Sequence, residues 1–246
     1  MKCQNCASEF TSVFCPDCGQ KRTESGFSFK QVIAEFLSGL YNAEAPILKT
    51  FTQLFVAPGQ MVREYIAGKR KAYMSPVKYF LFGVAFYFFM RWLLDWDPVT
   101  SAIGGEAPET PAMRVNLWMS ANVNLLLPLW VLIMALFDKL FFWRSPFSFV
   151  ERVVQKFFAV GQYLIAATLL IPLAKIYPIF HLLNFVFIFG FITYSITGFH
   201  GNSSFWSVLK SLLIAVVTFP LYVIICSIVV AWAMGIPIAD LMIKPQ

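Results

Sequence analysis

The pattern of apolar and polar positions divides the chain at Val77. Before it, apolar residues recur at helical spacing among polar ones. After it they run on for nearly twenty residues at a time, with short polar breaks. Five runs, at 77–94, 117–137, 157–174, 178–198 and 208–236, predict membrane-spanning helices, since a bilayer takes roughly 20 apolar residues. The third and fourth meet at Lys175-Ile176-Tyr177-Pro178, a link short enough to predict a helical hairpin. Pro220, near the middle of the fifth, predicts a kink. The stretch 97–114 is rich in Pro, Gly, Glu and Thr and reads as an exposed loop. There is no internal repeat.

Ahead of these runs, the periodicity predicts three amphipathic helices. In the first, Ser28 and Gln31 fit a capping box, and Phe29, Val32, Ile33, Phe36, Leu37, Leu40 and Tyr41 share one stripe. The second spans about 45–56 and carries Ile47, Leu48, Phe51, Leu54 and Phe55, with Pro58-Gly59 to stop it. The third, about 60–67, carries Met61, Val62, Tyr65 and Ile66 and ends at Gly68. One apolar face each suits either the headgroup plane or packing against the bundle.

Composition moves this pattern decisively toward a membrane protein. Of 246 residues, 59% are hydrophobic and 13% charged, against about 25% charged in soluble domains. The expected fold is an all-α membrane protein in three parts: a ribbon over 1–25, amphipathic basic juxtamembrane helices over 26–76, and a transmembrane domain of about five helices over 77–246. No apolar stretch precedes Cys3, so the first membrane helix, rather than a cleaved leader, is expected to drive insertion.

The net charge of +6 reports topology. With the N-terminus inside, ten cations precede the first span: Lys2, Lys21, Arg22, Lys30, Lys49, Arg63, Lys69, Arg70, Lys71 and Lys78. Lys139, Arg144, Arg152, Lys156 and Lys210 flank the other inner ends, leaving only Arg91, Arg114, Lys175 and Lys244 outside. That asymmetry predicts a cytoplasmic N-terminus and an outside, periplasmic C-terminus. Because most basic residues flank membrane segments, no nucleic-acid partner is expected.

Four of the five cysteines form two C-x-x-C pairs, Cys3/Cys6 and Cys15/Cys18. Each pair brings two sulfurs to one ion from a tight turn, and four thiolates satisfy tetrahedral zinc. Gly19 follows the second pair and supplies the positive φ such a turn needs, whereas Ala7 stands at the matching place in the first. A closed four-thiolate shell leaves no open coordination position, so the zinc is expected to be structural. Cys226, within the fifth run, reads as a small packing residue.

Thr50-x3-Leu54-x3-Pro58-Gly59-x5-Tyr65-x2-Gly68-Lys69-Arg70-x2-Tyr73-x2-Pro76, together with Cys18-Gly19-Gln20 closing the ribbon, resembles an uncharacterised family of bacterial membrane proteins. That family is described as a domain of unknown function with a zinc ribbon. The resemblance covers residues 1–80 by motif and the rest by hydropathy. It implies zinc and an inner-membrane location and supplies no activity.

Lys69, Arg70 and Lys71 place three cations at the expected cytoplasmic membrane surface, each worth about 1 kcal/mol near anionic lipid. With Tyr73 they are the candidate site for a phosphate-bearing headgroup; the alternative is a plain positive-inside anchor. Within the runs, Asn124, Gln162, His181 and Asn184 are the candidate polar set, lining a pocket or bonding between helices. Catalysis has no support at this level. His181 and His200 are the only histidines and fall near opposite faces, with no nucleophile–base pair evident. The expected function is therefore a membrane binding or scaffold protein engaging anionic lipid headgroups or a cytosolic protein partner. A transporter or lipid translocase is the alternative. The large apolar surface also suits a homo-oligomer.

Overall fold

A computed structural model describes residues 2–20, 47–103, 109–177 and 179–242, excluding the side chains of residues 102, 179–182 and 242. The amphipathic helix expected over 28–41 lies outside these residues. Outside the ribbon, the regular elements among the described residues are helices, in the order α1 (Ile47–Val56), α2 (Pro58–Ile66), α3 (Pro76–Leu94), α4 (Pro98–Ile103), α5 (Pro111–Ala121), α6 (Val123–Phe141), α7 (Phe149–Ile176), α8 (Ile179–His200) and α9 (Phe205–Ala233). A 3-10 turn follows at Ile238–Met242.

Five of these helices, α3, α6, α7, α8 and α9, are long and apolar enough to cross a membrane. The chain is a multi-pass, all-α membrane protein. Leu125, Leu132, Leu136 and Leu140 on α6, and Val216, Val217, Ile224 and Val229 on α9, remain exposed in the isolated chain, as lipid-facing residues must. Exposed tryptophans mark both rims. Trp143 and Trp206 stand at one end and Trp92 and Trp232 at the other, the positions preferred by amphipathic rings at a bilayer interface.

Helix α7 is the axis of the bundle. Its 28 residues reach about 42 Å, well beyond a hydrocarbon core of about 30 Å. It begins at a true capping box: Ser148 Oγ accepts from Glu151 N at 3.3 Å, and Glu151 Oε2 accepts from Ser148 N at 2.7 Å. The predicted run began at 157, eight residues later. Arg152, Gln155 and Lys156 break the hydropathy there, yet all three are fully buried inside the helix. Arg152 and Lys156 are thus corrected from loop cations to core residues. The run predicted at 117–137 is likewise two helices, α5 and α6. They break at Asn122, whose Nδ2 bonds back to Trp118 O at 2.9 Å. Part of the expected loop at 97–114 is helical as α4 and the start of α5. Pro220 sits inside a helix that continues from Phe205 to Ala233.

Helices α3 and α7 run parallel. Tyr79, early in α3, meets Phe158 and Gln162, and Lys175, late in α7, donates to Leu94 O. They approach closely where a Cβ on Gly83 would lie 3.0 Å from Gly161 O. Helix α3 begins beside the middle of α7. The first turns of α7 are covered instead by α1 and α2, through a second core of Leu54, Met61, Val62, Tyr65, Tyr73, Val154, Phe158 and Phe199. Pro58 both ends α1 and opens α2, since it lacks an N–H to continue the first helix and suits the first position of the second.

The two-helix collar is seated on α8 backbone to backbone. A Cβ on Gly59 would collide with Gly198 and Phe199. Gly59→Ala decides between two opposite effects. Ala for Gly inside a helix normally gains about 0.5–1 kcal/mol, whereas overpacking typically costs about 1–3 kcal/mol, and here the clash is with backbone. The thermal midpoint in detergent should fall for Gly59→Ala. It should rise slightly for Gly190→Ala, where a Cβ meets nothing within 4 Å.

Candidate functional site

The ribbon is two near-identical turns. Ala7 N bonds Cys3 O and Gly19 N bonds Cys15 O, each at 2.9 Å. Both closing residues adopt positive φ, 64° at Ala7 and 68° at Gly19. The first turn therefore holds an alanine in a conformation that glycine takes freely. The four sulfurs lie within 4.8 Å of one another, with Cys3 and Cys18 at 3.6 Å and Cys6 and Cys15 at 3.5 Å. All four are free thiols. Sulfurs around a tetrahedral metal with bonds of about 2.3 Å stand about 3.8 Å apart, so the cluster fits a metal ion.

Gln20 ties this ribbon to the collar. Its Nε2 donates to Gly68 O at 2.7 Å and its Oε1 accepts from Lys71 N at 3.2 Å. Gly68 has φ 111°, and the Gln4 side chain occupies the place a Cβ would take. Glycine is required there for conformation and for space.

Within the collar, Glu64 is the hub. It accepts from Tyr73 OH at 2.8 Å, Lys69 Nζ at 3.0 Å and Gln60 Nε2 at 3.1 Å. The Tyr73 hydroxyl, with Lys69 beside it, holds the Glu64 carboxyl below its ordinary range. Burial and the neighbouring carboxylate push Tyr73 up to about 12. Thr50 Oγ1 accepts from Met74 N at 2.9 Å, closing the collar on itself. Arg63 donates to Gly198 O and to Phe199 O, binding carbonyls at the C-terminal end of α8. Of the candidate headgroup residues, Lys69 and Tyr73 thus meet at Glu64. Lys71 is exposed beside the ribbon, and Arg70 is half-buried.

Residues 44–88 match a family model described as Protein of unknown function (DUF3667).

No curated protein and no solved structure matches the chain. The resemblance to an uncharacterised family is thereby borne out on the collar and the start of α3. The matched segment is the unit just described. Thr50 closes it, Leu54 and Tyr65 fill its core, Gly59 seats it on α8, and Gly68 receives the ribbon.

A second site lies at the same end of the bundle, among residues not brought together at the level of sequence. Asp138 from α6 is fully buried and paired with Arg152 and Lys156 from α7 and with His200 from α8, whose Nε2 lies 2.9 Å away. Ser145, in the α6–α7 turn, places its Oγ 3.0 Å from His200 Nδ1. Arg152 also donates to Asp138 O, Phe142 O, Ser145 O and Phe147 O, at 3.0 to 3.4 Å. One guanidinium therefore holds the whole turn. Lys156 reaches Gln155, which bonds Ser195 Oγ at 2.8 Å. With His200 neutral, the cluster carries one cation in excess. The C-termini of α6 and α8 converge on it, and their partial negative charge offsets that excess.

His200 meets both a hydroxyl and a carboxylate, which chain separations of 55 and 62 residues had hidden. The available signal was the capping box at Ser148/Glu151, which extends α7 and puts Arg152, Gln155 and Lys156 on one inward face.

The intramembrane polar residues do not form one set. Gln162 accepts from Tyr79 OH and donates to Phe51 O at 3.3 Å, facing the collar. Asn184 bonds Tyr163 OH at 3.2 Å. Asn124 is exposed in the first turn of α6. The His181 side chain lies outside the described residues.

Two outcomes test these networks. Asp138→Asn leaves Arg152 and Lys156 buried without an anion and should cost about 3–5 kcal/mol. Asp138→Asn with Lys156→Met should recover part of that loss, read as thermal midpoints in detergent. At Glu64, a folded-state value below the unfolded one adds stability at neutral pH. That stability disappears as pH falls through the folded value. The melting temperatures of wild type and Glu64→Gln should therefore differ at pH 7 and converge as pH falls below the ordinary carboxylate range. The gap stays small because both side chains of the Lys69–Glu64 pair are about one-third exposed.

Proposed function

We propose that this is an integral protein of the bacterial inner membrane, N-terminus cytoplasmic and C-terminus outside. Its zinc ribbon and basic collar present a binding surface to anionic lipid headgroups. The observation that carries this reading is the Gln20 clamp. It fixes the ribbon against Gly68 and Lys71, so that the metal holds the Gly68–Lys71 cations in one rigid piece. Lys49, whose ammonium lies 5.5 Å from the Tyr73 ring centroid, adds a further cation to the same edge. The orientation rests on the charge asymmetry, with the collar on the cation-rich side. Zinc rests on four thiolates in a reducing compartment, where metal ligation is favoured over disulfides.

Exposed Val13 and Phe14 on the ribbon favour a second reading, a cytosolic protein partner docking on its tip. The translocation alternative draws no support from the interior where α6, α8 and α9 meet. That interior is filled by Trp130, Ile188, Ile192, Ile214, Ala215 and Tyr222.

The test uses the full chain in nanodiscs of mixed phosphatidylglycerol and phosphatidylcholine. Elemental analysis should give one zinc per chain, lost in Cys15→Ser/Cys18→Ser. Native mass spectrometry should show preferential retention of the anionic lipid. Arg70→Gln/Lys71→Gln should cost about 2 kcal/mol of that preference, roughly 30-fold at low salt. Unchanged retention in a variant that still inserts and binds metal would sink the reading.

A further inference from the structure

The Ser145–His200–Asp138 contacts go beyond holding helices together. Asp138 is a carboxylate acceptor fixed by Arg152 and Lys156, so it offers His200 Nε2 only lone pairs. Nε2 must therefore carry the proton, and Nδ1 turns its own lone pair toward the Ser145 hydroxyl at 3.0 Å. That is the tautomer a general base needs. The ring has no freedom to leave this pose. It stacks on Phe142 at 3.9 Å between centroids, and Phe199 and Phe147 meet it edgewise at 5.3 and 6.0 Å. The Asp138 and His200 side chains are almost wholly shielded from solvent, while Ser145 is only half-buried. The hydroxyl is the accessible end of the row, with the imidazole and the carboxylate behind it.

The surroundings specify what reaches that hydroxyl. Ser145 follows Trp143 and Arg144, whose guanidinium lies 4.8 Å from the Trp143 ring centroid. Phe205 and Trp206, exposed at the start of α9, stand at the same rim. This is the interfacial belt, where the carboxylic esters of membrane lipids lie. Lys210 Nζ lies 5.7 Å from the centre of the Phe142 ring that stacks on His200.

We propose that Ser145, His200 and Asp138 form an acyl-transfer site that hydrolyses carboxylic esters of lipids at the membrane interface. Ser145 Oγ attacks the ester carbonyl carbon as its proton passes to His200 Nδ1. The bond to the alcohol oxygen breaks, and His200 returns that proton to the departing alcohol. Water then attacks the acyl-Ser145 ester, giving its proton to Nδ1. The carbon–Oγ bond breaks, Ser145 recovers a proton, and a fatty acid leaves. One ester and one water become one acid and one alcohol, with no change in oxidation state. Ser145 and His200 are the catalytic residues; Asp138, Arg152 and Lys156 position them. The site is independent of the ribbon and of the collar's lipid preference.

The test treats the full chain in nanodiscs with a fluorophosphonate probe, followed by intact mass and peptide mapping. One adduct is expected, on Ser145, absent from Ser145→Ala. The same substitution should stop fatty-acid release from vesicles of three parts phosphatidylcholine to one part phosphatidylglycerol. His200→Gln should slow labelling of Ser145 at least about 100-fold. Ser145→Ala loses one side-chain hydrogen bond, about 1 kcal/mol, in a turn held through its backbone and should still fold, so it decides the matter even if His200→Gln does not fold. No adduct on the wild type, or equal labelling of Ser145→Ala, overturns the site. An adduct on Ser145 without fatty-acid release overturns the lipid-ester assignment.

Discussion

Burying a carboxylate is tolerable only when every lone pair finds a donor and every neighbouring cation finds an anion. At Asp138 this constraint governs one whole end of the bundle. Arg152 and Lys156 reach it from α7, His200 reaches it from α8, and the turn after α6 is wrapped around the Arg152 guanidinium. A single charge thereby fixes how three spans end relative to one another. The C-terminal end of α8, which completes the cluster through His200, is also where Gly198 and Phe199 receive the collar. The collar in turn carries the ribbon through Gln20. The order of dependence runs outward from the buried charge to the cysteines.

Much of the architecture was legible in the chain because lipid imposes a simple rule: a spanning helix must be apolar for most of its length. That rule located all five spans and their order. It misjudged their ends where a different rule takes over. Arg152 and Lys156 look like loop cations to any reading by hydropathy, and they do lie at the cation-rich end. Their charge is met by Asp138 and by the converging C-termini of α6 and α8 rather than by water, so the helix runs on through them. The cysteine cluster was legible for the opposite reason. Its ligands are local, and two four-residue spacings suffice to bring four sulfurs together.

The collar was legible as pattern but not as purpose. Pro58, Gly59, Gly68, Lys69 and Tyr73 stood out, and the compact Gly68-Lys69-Arg70-Lys71 run suggested a headgroup site at the membrane surface. The structure puts Gly59 against another backbone, Gly68 against the ribbon, and Lys69 and Tyr73 on a shared glutamate. Contacts such as Arg63 with Gly198 cross 135 residues and leave no trace in local spacing. The meeting of Asp138, Ser145 and His200 was hidden by the same distance.

The seat of the collar has a consequence for how the protein is made. Ribbon and collar leave the ribosome first, yet the surface they rest on belongs to α8. At about 5–20 residues per second, the 135 residues between Arg63 and Gly198 take roughly 7 to 27 seconds to synthesise. For that interval the four cysteines, close together in sequence, are able to gather around a metal ion from local ligands alone, while Gly59 and Arg63 have nothing to dock on. Docking of the collar therefore reports that α8 has been inserted, and the N-terminal end of the chain is among the last parts of the molecule to find its place.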